Sequence, residues 1–109
     1  MADHDLTIYR HLGDQVIANH KDLEVRVGYT KIKRIRSGDR IRFYNHSQEI
    51  WVAVLEVRQY SSFEQMLNYE DYRRIAPGLS EDQVLQGLLK LFPRDKQYLD
   101  VYVIEFRKD

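Results

Sequence analysis

The run Ile50–Leu55, IWVAVL, is six consecutive apolar residues rich in β-branched and aromatic types, with polar residues on both sides. It is short for a helix and reads as the central strand of a core, covered on both faces. The segment continues as EVRQY to Tyr60, so the strand is long and has to curve, as strands in small barrels do. Such a strand needs neighbours. Arg40–Tyr44 alternates with Ile41 and Phe43 on one face, and Leu23, Val25 and Val27 share one face of a further extended segment. Asp5–Tyr9 and the valine- and aromatic-rich YLDVYVIEF near the C-terminus complete the candidate strands. Ser37-Gly38-Asp39 marks a turn, and Asn45-His46-Ser47-Gln48 supplies the loop of a hairpin.

Between the strands the apolar period changes. Leu12, Val16 and Ile17 fit one face of a short helix, weakened by Gly13 and ended near Asn19, a residue that tolerates the left-handed conformation. Ser61 and Ser62 stand three residues before Glu64 and Gln65, two overlapping capping signatures ahead of Phe63, Met66 and Leu67. Ser80 and Gln83 repeat the signature, and Val84, Leu85, Leu88, Leu89 and Phe92 mark an amphipathic helix closed by Pro93. Gly87 costs that helix up to about 1 kcal/mol relative to alanine, and the reading here is that it marks close packing. The segment GYTKIKRIRSGD has no long apolar period and reads as a loop. Together these elements predict an α+β fold, a small curved mixed barrel flanked by two or three helices. Its expected core contains Val25, Ile41, Phe43, Val52, Val54, Leu85, Leu88 and Ile104.

At 109 residues the chain is long enough for one domain, expected to span residues 1–109. Without cysteine it has neither disulfides nor thiolate metal ligands, which fits a reducing cytoplasm. No apolar run approaches the ~18 residues that a membrane span needs, so no membrane role is expected. His4, His11, His20 and His46 lack close ligand spacing and no HExxH occurs, so no metal is expected. The glycines form neither GxGxxG nor a phosphate-binding loop, and no GxSxG elbow is present, so no cofactor is expected.

Charge carries the functional signal. The chain is neutral, with 17 basic and 17 acidic residues, yet His20–Arg42 holds eight basic residues against three acidic ones. A basic patch of this kind attracts phosphate without making the whole molecule cling to nucleic acid. Within HKDLEVR, strand alternation puts Asp22, Glu24 and Arg26 on the face opposite Leu23, Val25 and Val27. Glu24 and Arg26 are then about 7 Å apart, close enough to pair or to grip one polar ligand, with Lys21 entering from the preceding turn. From spacing alone the simplest reading is an exposed ion pair on a solvated strand face.

KDLEVR, VGYTKIKRIRSGDRIRF, VRQYSSFEQML and VYVIEF together resemble the small bacterial and archaeal ASCH-domain proteins, along nearly the whole chain. That family is similar in fold to PUA-like RNA-binding domains, with a cleft beside a strand that carries a GxKxxExR-type motif. Lys21, Glu24 and Arg26 occupy the motif's charged positions, and Asn19 replaces its glycine. The resemblance implies a cleft for RNA, a nucleotide or a nucleoside. Lys21 and Arg26 would be donors there, Glu24 an acceptor and Tyr29 a further contact, with Lys31, Lys33, Arg34 and Arg36 as an outer phosphate track. It also implies an alternative, metal-free hydrolysis of acetylated cytidine, for which Lys21 and Glu24 would be the catalytic groups; a further alternative is ribonuclease activity, with Lys21, Arg26 and Tyr29 stabilising a phosphorane-like state. Members that remove the acetyl group use a threonine where Glu24 stands and a glutamate that aligns near Pro77. Neither group is reproduced, and a carboxylate cannot replace a hydroxyl nucleophile without changing the mechanism.

Overall fold

The long strand expected from Ile50 lies in the middle of the sheet. The computed structural model describes residues 1–109, with strands β1 Asp3–Thr7, β2 Leu23–Val27, β3 Arg40–Tyr44, β4 Glu49–Tyr60 and β5 Val101–Lys108. Their order across the sheet is β1-β3-β4-β5-β2; β1 runs parallel to β3 and the other pairings are antiparallel. β1 begins and ends two residues before the segment read from sequence. The register between β4 and β5 slips between Val54 and Glu56, leaving Leu55 as an extra residue. Such a bulge strengthens the local twist, and the sheet curls into a half-barrel whose edge strands are β1 and β2.

Helices α1 Arg10–Ile17, α3 Phe63–Leu67 and α5 Glu81–Leu91 are the three foreseen from sequence. Ser62 caps α3 by accepting from the Gln65 amide, and Ser80 with Gln83 forms the full capping box of α5. Two single turns add to them, α2 Thr30–Lys33 and α4 Tyr72–Ile75, and a 3-10 turn Arg94–Leu99 leads into β5. α2 corrects the expectation of a loop. Ile32 and Ile35, three residues apart, are both buried and anchor the segment to the core, a period too brief to notice within so many cations.

Both faces of the sheet are covered, by different material. One cluster joins Leu6, Val16, Ile41, Phe43, Val52 and Phe106 with Ile32 and Ile35 of the α2 segment, and Phe43 meets Phe106 at a 5.4 Å ring separation. The other sets Leu23, Val25, Val27, Val101 and Val103 against α3, α4 and α5. Fully burying one such side chain is worth about 1.5–3 kcal/mol, so the two layers supply most of the stability. Seven of the eight expected core residues are buried, while Leu85 is partly buried against the second cluster. The central strand is not covered on both faces throughout. Ile50, Val52 and Val54 are buried, whereas Trp51 and Ala53 are half-buried and Leu55 is exposed. Trp51 is shielded by the Arg40 guanidinium, 4.5 Å from its ring centre.

Candidate functional site

Register decides where the charged strand face points. Glu24 pairs with Ile104 and Arg26 with Tyr102, so both charged side chains lie on the Ile104 side of β2, away from the helix-packed valines. The solvated ion pair read from spacing is therefore corrected. The Glu24 side chain is 9% exposed and that of Lys21 only 2%.

Lys21 is held by three acceptors, matching the three protons of its ammonium group. They are Leu23 O at 2.5 Å, Ile75 O at 2.7 Å and the Glu24 Oε1 at 3.0 Å. It thereby fastens the start of β2 to α4. Arg74 reinforces that join with a bidentate pair to Asp22 at 2.7 and 3.1 Å and a contact to Glu105 at 3.2 Å. Arg58 then links Glu105 to Glu70, whose carboxylate also accepts from Tyr60. Burial chiefly, and the adjacent Glu70 carboxylate, push the Tyr60 hydroxyl up to about 12.

The second Glu24 oxygen, Oε2, accepts from Arg26 Nε at 2.6 Å. Burial by itself raises the Glu24 pKa, but the charges of and hydrogen bonds from Lys21 and Arg26 outweigh it, and the net direction is down. Glu24 is a fixed carboxylate with both oxygens engaged. Arg26 is not saturated. Its Nη2 donates to Thr7 O at 2.6 Å, bridging from the edge strand β2 to the end of the other edge strand, β1. Of its five N–H donors, Nη1 and the second proton of Nη2 have no acceptor in the protein.

These groups form part of the wall of a cleft of about 540 Å³ that follows the free edge of β2. One wall is the β1–α1 junction, with Thr7, Tyr9, His11 and Leu12; the rings of Tyr9 and His11 stack at 5.9 Å. The facing wall is α4, α5 and their connection, with Ile75, Leu79, Val84, Gly87, Leu88 and Leu91. Lys90 joins Lys21 and Arg26 at the lining, so three cations face one carboxylate, and the field in the cleft favours an anion. No group of three or more histidine or acidic side chains is placed to hold a metal ion.

A model of the ASCH domain matches residues 6–108. The chain belongs to the ASCH domain family. Hypothetical protein PH0355 is similar in structure, with a TM-score of 0.89 and 24% identity over 100% of both chains. Protein PF0455 from Pyrococcus furiosus aligns with a TM-score of 0.79 at 24% identity, over 97% of this chain and 96% of its own. The S128A mutant of the ASCH protein from Zymomonas mobilis has a TM-score of 0.65 at 17% identity, over 96% of this chain and 67% of that one. No match appears among curated proteins. At these identities the neighbours speak for the fold, the expected α+β, PUA-like architecture, with the curved sheet left open as a half-barrel between β1 and β2.

Within this ASCH domain the motif residues Lys21, Glu24 and Arg26 come together at the cleft, and the other expected contacts do not. Tyr29 is 46% exposed at the start of α2 and outside the cleft lining. Lys31, Lys33, Arg34 and Arg36 are all exposed, and none forms an ion pair, whereas Arg26, Arg40, Arg42, Arg58, Arg73, Arg74 and Arg94 all do. Thr7, Tyr9, His11, Lys90 and Leu91 were not foreseen as cleft residues. They come from two segments far apart in the chain, and no local pattern announces that these meet. Pro77 is not among the lining residues.

Proposed function

We propose that this ASCH domain, acting as one unit over residues 1–109, binds RNA or a nucleotide-like ligand in the cleft beside β2. The observation that carries the reading is Arg26, a partly buried guanidinium fixed by Glu24 and Thr7 that keeps donors without a protein partner and lines an apolar-walled cleft of about 540 Å³. A cleft of that size is in the range that suits a small ligand, and apolar walls suit the faces of a planar base. Donors held in advance suit phosphate or carbonyl oxygens, because little rotamer freedom is left to lose on binding. Lys21 and Glu24 act as the mount for Arg26 more than as direct ligand contacts, since each already has its partners. Tyr29, Lys31, Lys33, Arg34 and Arg36 serve as a separate, exposed surface where the phosphates of a longer strand are neutralised. A cytoplasmic setting accords with a cysteine-free chain that has no helix long and apolar enough to cross a membrane.

Catalysis fits this arrangement less well. A general base works best with a pKa near the working pH, whereas Lys21 and Arg26 hold the Glu24 pKa down and fix both of its oxygens in place. Titration of isotope-labelled protein with nucleosides, nucleotides and short RNA tests the reading. Amides of Arg26 and of α5 are expected to move, and movement confined to the far side of the sheet would refute it. Incubation with acetylated cytidine is expected to give no product, and product formation that Glu24→Gln abolishes would establish the hydrolase instead.

A further inference from the structure

Gly87 lies inside α5, six residues after its first residue and four before its last. A glycine there costs stability, and such a cost is commonly offset by close backbone packing. Close packing was the expectation from sequence, and it is absent. A methyl group added at Gly87 would meet nothing within 4 Å, in contrast to Gly13 and Gly28, where it would run into Gln48 and into Leu99 O. Gln83, Gly87 and Leu91 recur every four residues along α5, and all three line the cleft. The space that the missing side chain leaves is open, at an exposed position on this cleft-lining stripe beside Val84 and Leu88.

We infer that Gly87 is the size-determining residue of the cleft, leaving the α5 backbone bare so that a planar heteroaromatic ring lies flat against it while an attached anionic group reaches Arg26. The inference rests on the cleft being a nucleotide site and adds to it the ring's resting place. A ring stacked on helix backbone needs a position without a Cβ, and α5 offers one on its cleft-facing stripe. Any longer side chain would occupy the ring's place without disturbing Arg26 or its partners.

The test compares Gly87→Ala, Gly87→Leu and Gly87→Gln with the wild-type chain, using cytidine 5′-monophosphate, adenosine 5′-monophosphate and inorganic phosphate as probes. All three substitutions favour helix, so each variant is expected to melt at or above the wild-type temperature, Gly87→Ala by about 4 °C. Gly87→Leu and Gly87→Gln should each weaken both nucleotides by about tenfold or more, the scale on which a filled pocket excludes a group. Gly87→Ala, which adds a single methyl group, should weaken them less than either longer side chain does. The response of Arg26 to inorganic phosphate should be the same in all four proteins. If nucleotides bind the wild type and all variants alike, the inference about Gly87 fails and the nucleotide site stands. If neither nucleotide moves the cleft amides of the wild type, both fail.

Discussion

Two basic regions within one short stretch of chain end in opposite physical states. Lys21 and Arg26 flank a buried carboxylate, and every proton of Lys21 has an acceptor; Lys31, Lys33, Arg34 and Arg36 stand in water without an acidic partner. In the first region the low dielectric makes each unsatisfied group expensive, so geometry is fixed and one side chain, Arg26, is left poised with spare donors. In the second, water and salt screen each charge, so position is loosely specified and only the total charge matters. The difference teaches that charge density along a sequence says little about precision of recognition. Burial does.

The largest effect is expected from breaking the buried set. Lys21→Met leaves Glu24 short of a countercharge and the carbonyls of Leu23 and Ile75 without their donor, and removing one member of a buried pair costs about 3–5 kcal/mol. A urea melt is the measurement, and a loss below about 1 kcal/mol would place Lys21 with the exposed cations.

Next comes affinity. Arg26→Met should lower nucleotide affinity by about 1.5–3 kcal/mol, the worth of a hydrogen bond to a charged group, while leaving the protein folded. Calorimetric titration reads it, and equal affinity in the two proteins would remove Arg26 from the ligand.

Acid pH sharpens the contrast. Because the folded pKa of Glu24 is depressed, its stabilisation is complete above the unfolded value of about 4.3 and is lost as the pH falls through the folded value. Glu24→Gln, though less stable at neutral pH, should lose less than wild type between pH 6 and acid. Asp39, held down to about 2 by His4, by the Ala2 and Arg36 amides and against its own burial, contributes a second acid transition from about pH 4 downward. Asp39→Asn should remove that part, as melts across the pH range would reveal.

The smallest change in stability belongs to the exposed run. Replacing Lys33, Arg34 and Arg36 by alanine should alter the melt by no more than about 0.5 kcal/mol. RNA affinity should become less salt-dependent, with the logarithmic slope flattened by up to about 2 if each cation had neutralised one phosphate. An unchanged slope assigns these residues to solubility.

Much of the frame was legible because the period of apolar residues is a local property. Ile41 and Phe43, Val52 and Val54, and the capping pairs Ser62–Gln65 and Ser80–Gln83 declare their elements within a few residues. α4 went unforeseen because it is a single turn held by Asp71 and by tertiary contacts. The short period of Ile32 and Ile35 was hidden by the cations around them.

The sequence by itself determined that Glu24 and Arg26 share one face of a strand, with Lys21 just before it, because two-residue alternation is a property of the backbone alone. Only the tertiary structure decided that Glu24 faces the Ile104 side of the sheet, that Ile75 O takes the last proton of Lys21, and that Gly87 looks into the same cleft. Burial is the reason. Whether a charge is screened or fixed depends on which distant segments close over it, and those segments, α1 and α4–α5, are brought to β2 by the curl of the sheet and the packing of its two faces.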